Sequence, residues 1–153
     1  IRNISESEIP FLKKNSSRIN IFWAKDKSKW NLNKFKKLIK NKTVYLTFDV
    51  DGLDSSIMPA TGTPEPGGLL WDETLNIIRI AAKNSKIVGA DINELSPIKG
   101  FNSYNFLVAK LAYKILSYKF FLISINIIGC SLDISSFNNL FYCLINNSFC
   151  IIS

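Results

Sequence analysis

The chain has 153 residues, 47% of them apolar and 20% charged, a balance that fits one domain with a core and excludes disordered and collagen-like classes. Lysine and arginine number 19 against 12 acids, for a formal charge of +7, and histidine is absent. That absence excludes Ser-His triads, histidine bases and every histidine metal ligand within this chain.

The chain opens at Ile1 rather than Met, which reads as a processed chain or a piece of a longer protein. Arg2, Ser5, Glu6 and Glu8 interrupt any leader-like apolar run. Ser5 and Glu8 have capping-box spacing ahead of a short helix over Glu6–Asn15, with Pro10 inside it. Ile19–Trp23 is a short apolar run and is expected to be a strand. Leu32–Lys40 places Leu32, Phe35, Leu38 and Ile39 at helical spacing among lysines. Between Lys13 and Lys42 the only acid is Asp26, and this basic stretch reads as a solvated face. It shows no basic–aromatic module of the RNA-binding kind, so no nucleic-acid partner is expected.

Thr43–Val50 is β-branched and aromatic, the strongest strand signal in the chain. Asp51–Leu70 is punctuated by glycine and proline and reads as a long functional loop, its glycines supplying φ > 0 and close backbone approach. An amphipathic helix follows over Trp71–Lys83, with Trp71 expected in the core, then a buried strand over Lys86–Asp91 and a helix over Asn102–Tyr118. Alternating strands and helices predict an α/β fold with a mostly parallel sheet and helices on both faces.

Phe120–Ser153 changes character. It has no Lys or Arg, one acid (Asp133) and no sustained periodicity, and its apolar runs fall short of the roughly 18 residues a membrane span needs. The expected organisation is therefore a domain over residues 1–119 and an atypical tail over 120–153. The tail should add little to the fold and be aggregation-prone near Phe120–Ile128. No membrane partner is expected. The three cysteines, Cys130, Cys143 and Cys150, lack CxxC spacing and point only to a reducing, cytoplasmic setting.

Chemistry concentrates where the strong strand ends, at Phe48-Asp49-Val50-Asp51-Gly52-Leu53-Asp54. Strand alternation sends Asp49 and Asp51 to one side. Two carboxylates that close resist joint ionisation unless a cation lies between them. Strand C-termini are also where open α/β sheets bind ligands. On these grounds alone a hard-oxygen metal pair and a solvated acidic turn stay equally open.

FDVDGLD resembles the second metal-binding motif of the ureohydrolases, the agmatinase and arginase class. Pro59–Leu69 (PATGTPEPGGL) is similar to that family's glycine-rich loop. Gly89–Pro97 (GADINELSP) resembles its strand-end segment, and Ile1–Ser5 the strand and turn that open this half in agmatinases. The resemblance covers residues 1–119 and implies a three-layer α/β/α arginase-like fold, present as its C-terminal half. It implies two Mn²⁺ ions that activate water for attack on a guanidinium carbon, releasing urea and an amine. By motif position Asp49 bridges both ions, Asp51 ligates one and Glu94 pairs with the substrate guanidinium. Asp54 and Asp91 read either as outer hydrogen-bond acceptors or as caps. The family's remaining ligands and its proton-transfer histidine lie in motifs this chain lacks, so it supplies no complete catalytic set and is expected to be inactive alone.

The Pro64–Gly68 form is closer to agmatinases, making agmatine the first choice among guanidino substrates and a homo-oligomer the expected complete assembly. A non-catalytic relative acting through protein contacts is the alternative. Asp49, Asp51 and Glu94 are expected at one rim of the sheet.

Overall fold

Thr43–Asp49 (β1) and Lys86–Asn93 (β2) lie side by side as a parallel pair, running from Thr43 opposite Lys86 to Asp49 opposite Asn93 with a one-residue register shift between Val44 and Tyr45. The structure is a computed structural model that describes residues 1–125. The parallel sense follows from the connection, in which a long loop and a helix return the chain to the end of the sheet where it started. That helix, α3, spans Trp71–Asn84. β2 runs two residues beyond its expected end at Asp91, and this extension carries the pairing to the level of Asp49.

Side chains alternate across β1. Val44, Leu46 and Phe48 turn inward, while Thr43, Tyr45, Thr47 and Asp49 are exposed. Ile78 of α3 and Leu111 and Ile115 of α4 (Asn102–Ile125) are buried with Leu46, Phe48, Trp71 and Ile92 packed on them. Burying a side chain such as Ile78 or Leu111 contributes about 1.5–3 kcal/mol. Ala81, Ala82 and Ile87 form a second cluster with Phe35 and Ile39 of α2 (Leu32–Ile39). A third, of Val50, Leu53, Met58 and Ala60, lies under the loop that follows β1. The opposite sheet face is open, with Tyr45 60% and Val88 50% exposed.

Helix α2 starts where Asn31 caps it, its Oδ1 accepting from the amides of Asn33 at 3.0 Å and Lys34 at 3.1 Å. The N-terminal helix divides into a 3₁₀ turn, Glu6–Glu8, and α1, Ile9–Lys14. Pro10 falls in the first turn of α1, where a missing amide costs nothing. The Ser5 amide donates to Glu8 Oε2 at 2.7 Å, as the capping spacing predicts.

Ile19–Trp23 is not a strand. One rung of parallel pairing survives, the Ile1 amine donating to Phe22 O at 3.3 Å and the Ala24 amide to Ile1 O at 3.0 Å. The segment is held by its rings instead. Phe22 packs edge-on against Trp30 and Phe35, and Trp30 Nε1 donates to Trp23 O at 2.8 Å. The chain then turns through a kinked 3₁₀ stretch at Ala24–Lys29.

Helix α4 continues past Tyr118 to Ile125, since residues 119–125 contain neither glycine nor proline to stop it. The helix thus crosses the expected boundary at 119/120, and the expectations for the tail beyond Ile125 fall on residues outside those described. No helix among the described residues is long and apolar enough to cross a membrane.

Candidate active site

β1 ends at Asp49, and Val50–Gly52 forms a single 3₁₀ turn. Strand alternation therefore does not bring Asp49 and Asp51 together, because Asp51 has already left the strand. The turn does so, and both residues line one cavity of about 590 Å³ with Arg2, Lys27, Trp30 and Glu65. Buried Val50 and Leu53 anchor the turn on either side of Asp51, at 0% and 1% exposure. Thr63 Oγ1 donates to Asp51 Oδ2 at 3.4 Å, a long bond that leaves most of that carboxylate's accepting capacity unused.

The loop beyond is organised by Asp54. Its Oδ1 accepts from the Ser56 hydroxyl at 2.6 Å and amide at 2.9 Å, and its Oδ2 from the amides of Gly67 at 2.7 Å and Gly68 at 3.2 Å. These bonds, the Ser56 hydroxyl first, pull the carboxyl from its ordinary 3.8 to about 2. Asp54 thus closes a turn and ties the two ends of the loop.

The folded pKa lies below the unfolded one. The stabilisation is therefore complete above about pH 4 and lost as pH falls through about 2. Amide-exchange protection at Gly67 and Gly68 should fall in that window in the wild type. Asp54→Asn should lack the step at every pH, and a wild-type profile flat from pH 5 to pH 2 would remove Asp54 from this role.

Gly67 takes φ +81°, and a Cβ on Gly68 would lie 2.4 Å from the Leu53 carbonyl carbon. The loop's glycines therefore serve the two purposes expected of them, at these two positions. The Leu53–Leu69 bridge closes the base of the loop.

Sequence reasoning missed the cations that hold this loop. Arg2 Nε donates to Glu65 Oε2 at 3.1 Å, Nη1 to Leu53 O at 3.3 Å, and Nη2 to Asp51 O. Asn3 Nδ2 adds a bond to Glu65 Oε1 at 2.8 Å. Lys27 Nζ donates to Gly68 O at 2.8 Å and to Glu73 Oε2 at 2.9 Å. Glu73 also accepts from the Leu70 amide at the start of α3, which with Lys27 holds its pKa below the ordinary glutamate value. Lys27 belongs to the stretch that reads as a solvated face, and nothing local separates it from its neighbours. The arginine at position 2, beside an agmatinase-like opening, was the one available hint.

Glu94 follows Asn93, the register partner of Asp49, so the backbone brings it to the same end of the sheet. It has φ +67°, a left-handed conformation that non-glycine residues hold only where the surroundings impose it. Its exposed side chain forms no ion pair among the described residues. Asp91 is engaged locally: Asn93 Nδ2 donates to its Oδ1 at 2.8 Å, and its hydrogen bond with Tyr45 raises the tyrosine pKa.

Asp49 and Asp51 offer hard carboxylate oxygens of the kind Mn²⁺ accepts. The donor set fits in kind but is short in number, since the described residues contain no group of three or more His, Cys, Asp or Glu able to hold an ion.

The chain is similar to known proteins. The N(1)-aminopropylagmatine ureohydrolase of Synechocystis sp. is 40% identical over 121 residues, covering 77% of this chain and 39% of that protein. The agmatinase of Neisseria gonorrhoeae is 38% identical over 97 residues, covering 63% of this chain and 30% of that protein. Among solved structures, the agmatine ureohydrolase of Thermoplasma volcanium superposes with a TM-score of 0.64 at 30% identity, covering 78% of this chain and 40% of that one. The arginase of Medicago truncatula superposes at 0.60 with 27% identity. The parallel pair with its packed helices is accordingly an α/β arginase-like fold. The chain spans less than half the length of these relatives. The arginase family's sequence profile matches residues 1–117, so the chain belongs to the arginase family.

Proposed function

We propose that this chain carries one part of the active site of a manganese-dependent ureohydrolase, which converts a guanidino compound to urea and an amine. The observation that carries the reading is the meeting of Asp49 and Asp51 on one cavity, at the strand end where Glu94 also arrives. Asp49 and Asp51 would hold Mn²⁺, which when bound makes water acidic enough to attack an unreactive guanidinium carbon near neutral pH. Glu94 offers a carboxylate matched to the guanidinium fork, carried on a backbone at φ +67° at the same end of the sheet. A cavity of about 590 Å³ is of the size that holds a small organic ligand.

Agmatine is the first candidate, because relatives named agmatinase and aminopropylagmatine ureohydrolase match the segment that contains these residues. The chain has no histidine to carry a proton, and its catalytic set is completed by residues beyond it. The complete protein is proposed to be a cytoplasmic homo-oligomer acting on small molecules.

Titration with Mn²⁺, followed through the paramagnetic resonance of the free ion, tests the metal assignment. The wild-type chain should take up Mn²⁺ weakly, Asp51→Asn should lose that uptake, and Glu94→Gln should keep it. Equal uptake by the wild type and an Asp49→Asn, Asp51→Asn double variant would remove the carboxylates from the metal site.

A further inference from the structure

We infer that Arg2 is a positioning residue, whose guanidinium fixes the backbone of the Asp51–Leu53 turn and so sets how the Asp49 and Asp51 carboxylates open on the cavity. The backbone bonds around this turn use alternate carbonyls. Val50 O accepts from the Leu53 amide, Gly52 O from Leu69, and Asp54 O from Ile57 and Met58. The carbonyls between them, of Asp51 and Leu53, accept from the two terminal nitrogens of Arg2. One rigid fork therefore completes the turn from outside, while its third donor, Nε, binds Glu65 in the glycine-rich loop. The side chain is only 17% exposed, so these bonds face little competition from water.

The two terminal nitrogens reach main-chain oxygens and leave the carboxylate oxygens of Asp49 and Asp51 alone. A cation bound to the carboxylates themselves would compete with a metal. One bound to the carbonyls behind them orients the ligands and leaves their lone pairs free. Lysine cannot replace this geometry, because its ammonium is a point charge on a flexible stem. The inference rests on the metal reading of Asp49 and Asp51 for its consequence, but the clamp itself is independent of any ion.

The test uses the 153-residue chain with Arg2→Ala, Arg2→Lys and, as a control for lost charge, Lys25→Ala, whose lysine is 77% exposed. Amide exchange should accelerate at Leu53, Asp54 and Leu69 in both Arg2 variants, with the β1 amides of Val44–Phe48 unchanged and Lys25→Ala like the wild type. Mn²⁺ affinity should fall roughly 10–100-fold in Arg2→Ala, the range found when groups that orient metal ligands are removed. Arg2→Lys restores the charge and should recover little of that loss, and it is the variant to read if the alanine form does not fold. Unchanged exchange at Leu53 and Asp54 in a folded Arg2 variant overturns the clamp, whatever the metal does. Absence of Mn²⁺ uptake by the wild type sinks the metal reading instead, while the exchange measurements still decide the role of Arg2.

Discussion

Supplied with agmatine and millimolar Mn²⁺, the 153-residue chain is expected to release no urea. Its candidate site offers two carboxylate ligands, and an ion held by so few stays largely hydrated and acidifies its water less than one in a closed site. No histidine is present to move a proton, a role worth typically about 10²–10⁴-fold in rate. Urea release should appear when the chain is fused to, or mixed with, the part of the Synechocystis relative that it does not span. That activity should require Mn²⁺. Asp51→Asn should abolish it together with metal retention, whereas Glu94→Gln should lower kcat/KM by about 10² or more with metal still bound. Urea formed by the chain alone, surviving removal of host enzyme, would show that these ligands suffice.

The second large effect concerns Gly68→Ala. The added Cβ would lie 2.4 Å from the Leu53 carbonyl carbon and 2.5 Å from both the Leu53 oxygen and the Asp54 nitrogen. All three are backbone atoms, so relief comes only by separating the two ends of the loop. Separation disrupts the Asp54 amide bond to Leu69 O at 2.9 Å, the Leu69 amide bond to Gly52 O at 3.0 Å, and the bonds from Gly67 and Gly68 to Asp54. The expected loss is about 3 kcal/mol or more, a fall in Tm of roughly 10 °C or beyond. Gly62→Ala is the matched control, with nothing within 4 Å of its Cβ and no left-handed backbone. It should change stability by less than about 0.5 kcal/mol. Thermal melts of the two variants decide the matter, and similar Tm values would mean the loop base yields easily.

Local signals in the sequence were enough for β1, α3 and the loop between them. The TVYLTFD run, the helical spacing of Leu75, Ile78 and Ala82, and the glycine–proline punctuation each act over a few neighbouring residues. Ile19–Trp23 misled because a five-residue stretch with four apolar side chains carries no information about whether its rings or its amides will find partners. Here the rings of Phe22 and Trp30 do. Asp49 and Asp51 were recognisable as a pair, but the local geometry that unites them is a turn, which alternation does not foresee. The contacts of Arg2 and Lys27 were beyond reach, since their partners Glu65 and Gly68 lie 63 and 41 residues away and only the place of Arg2 in the agmatinase-like opening hinted at a role. Such contacts are properties of the folded chain, and no periodicity announces them.

The pairing of Asp49 with Asn93 also governs when this rim can come into being. Its strands are parallel, so Thr43 meets Lys86 only after the whole intervening stretch has been looped back, and that closure is entropically unfavourable before any rung forms. A helix such as α3 needs only its own neighbours and relaxes within about a microsecond, whereas contacts of high sequence separation dominate the slow part of folding. The carboxylate rim is thus a late product of the folding sequence. Asp54 and Arg2, by shortening the effective loop between β1 and α3, act on the route to the site as well as on its final shape.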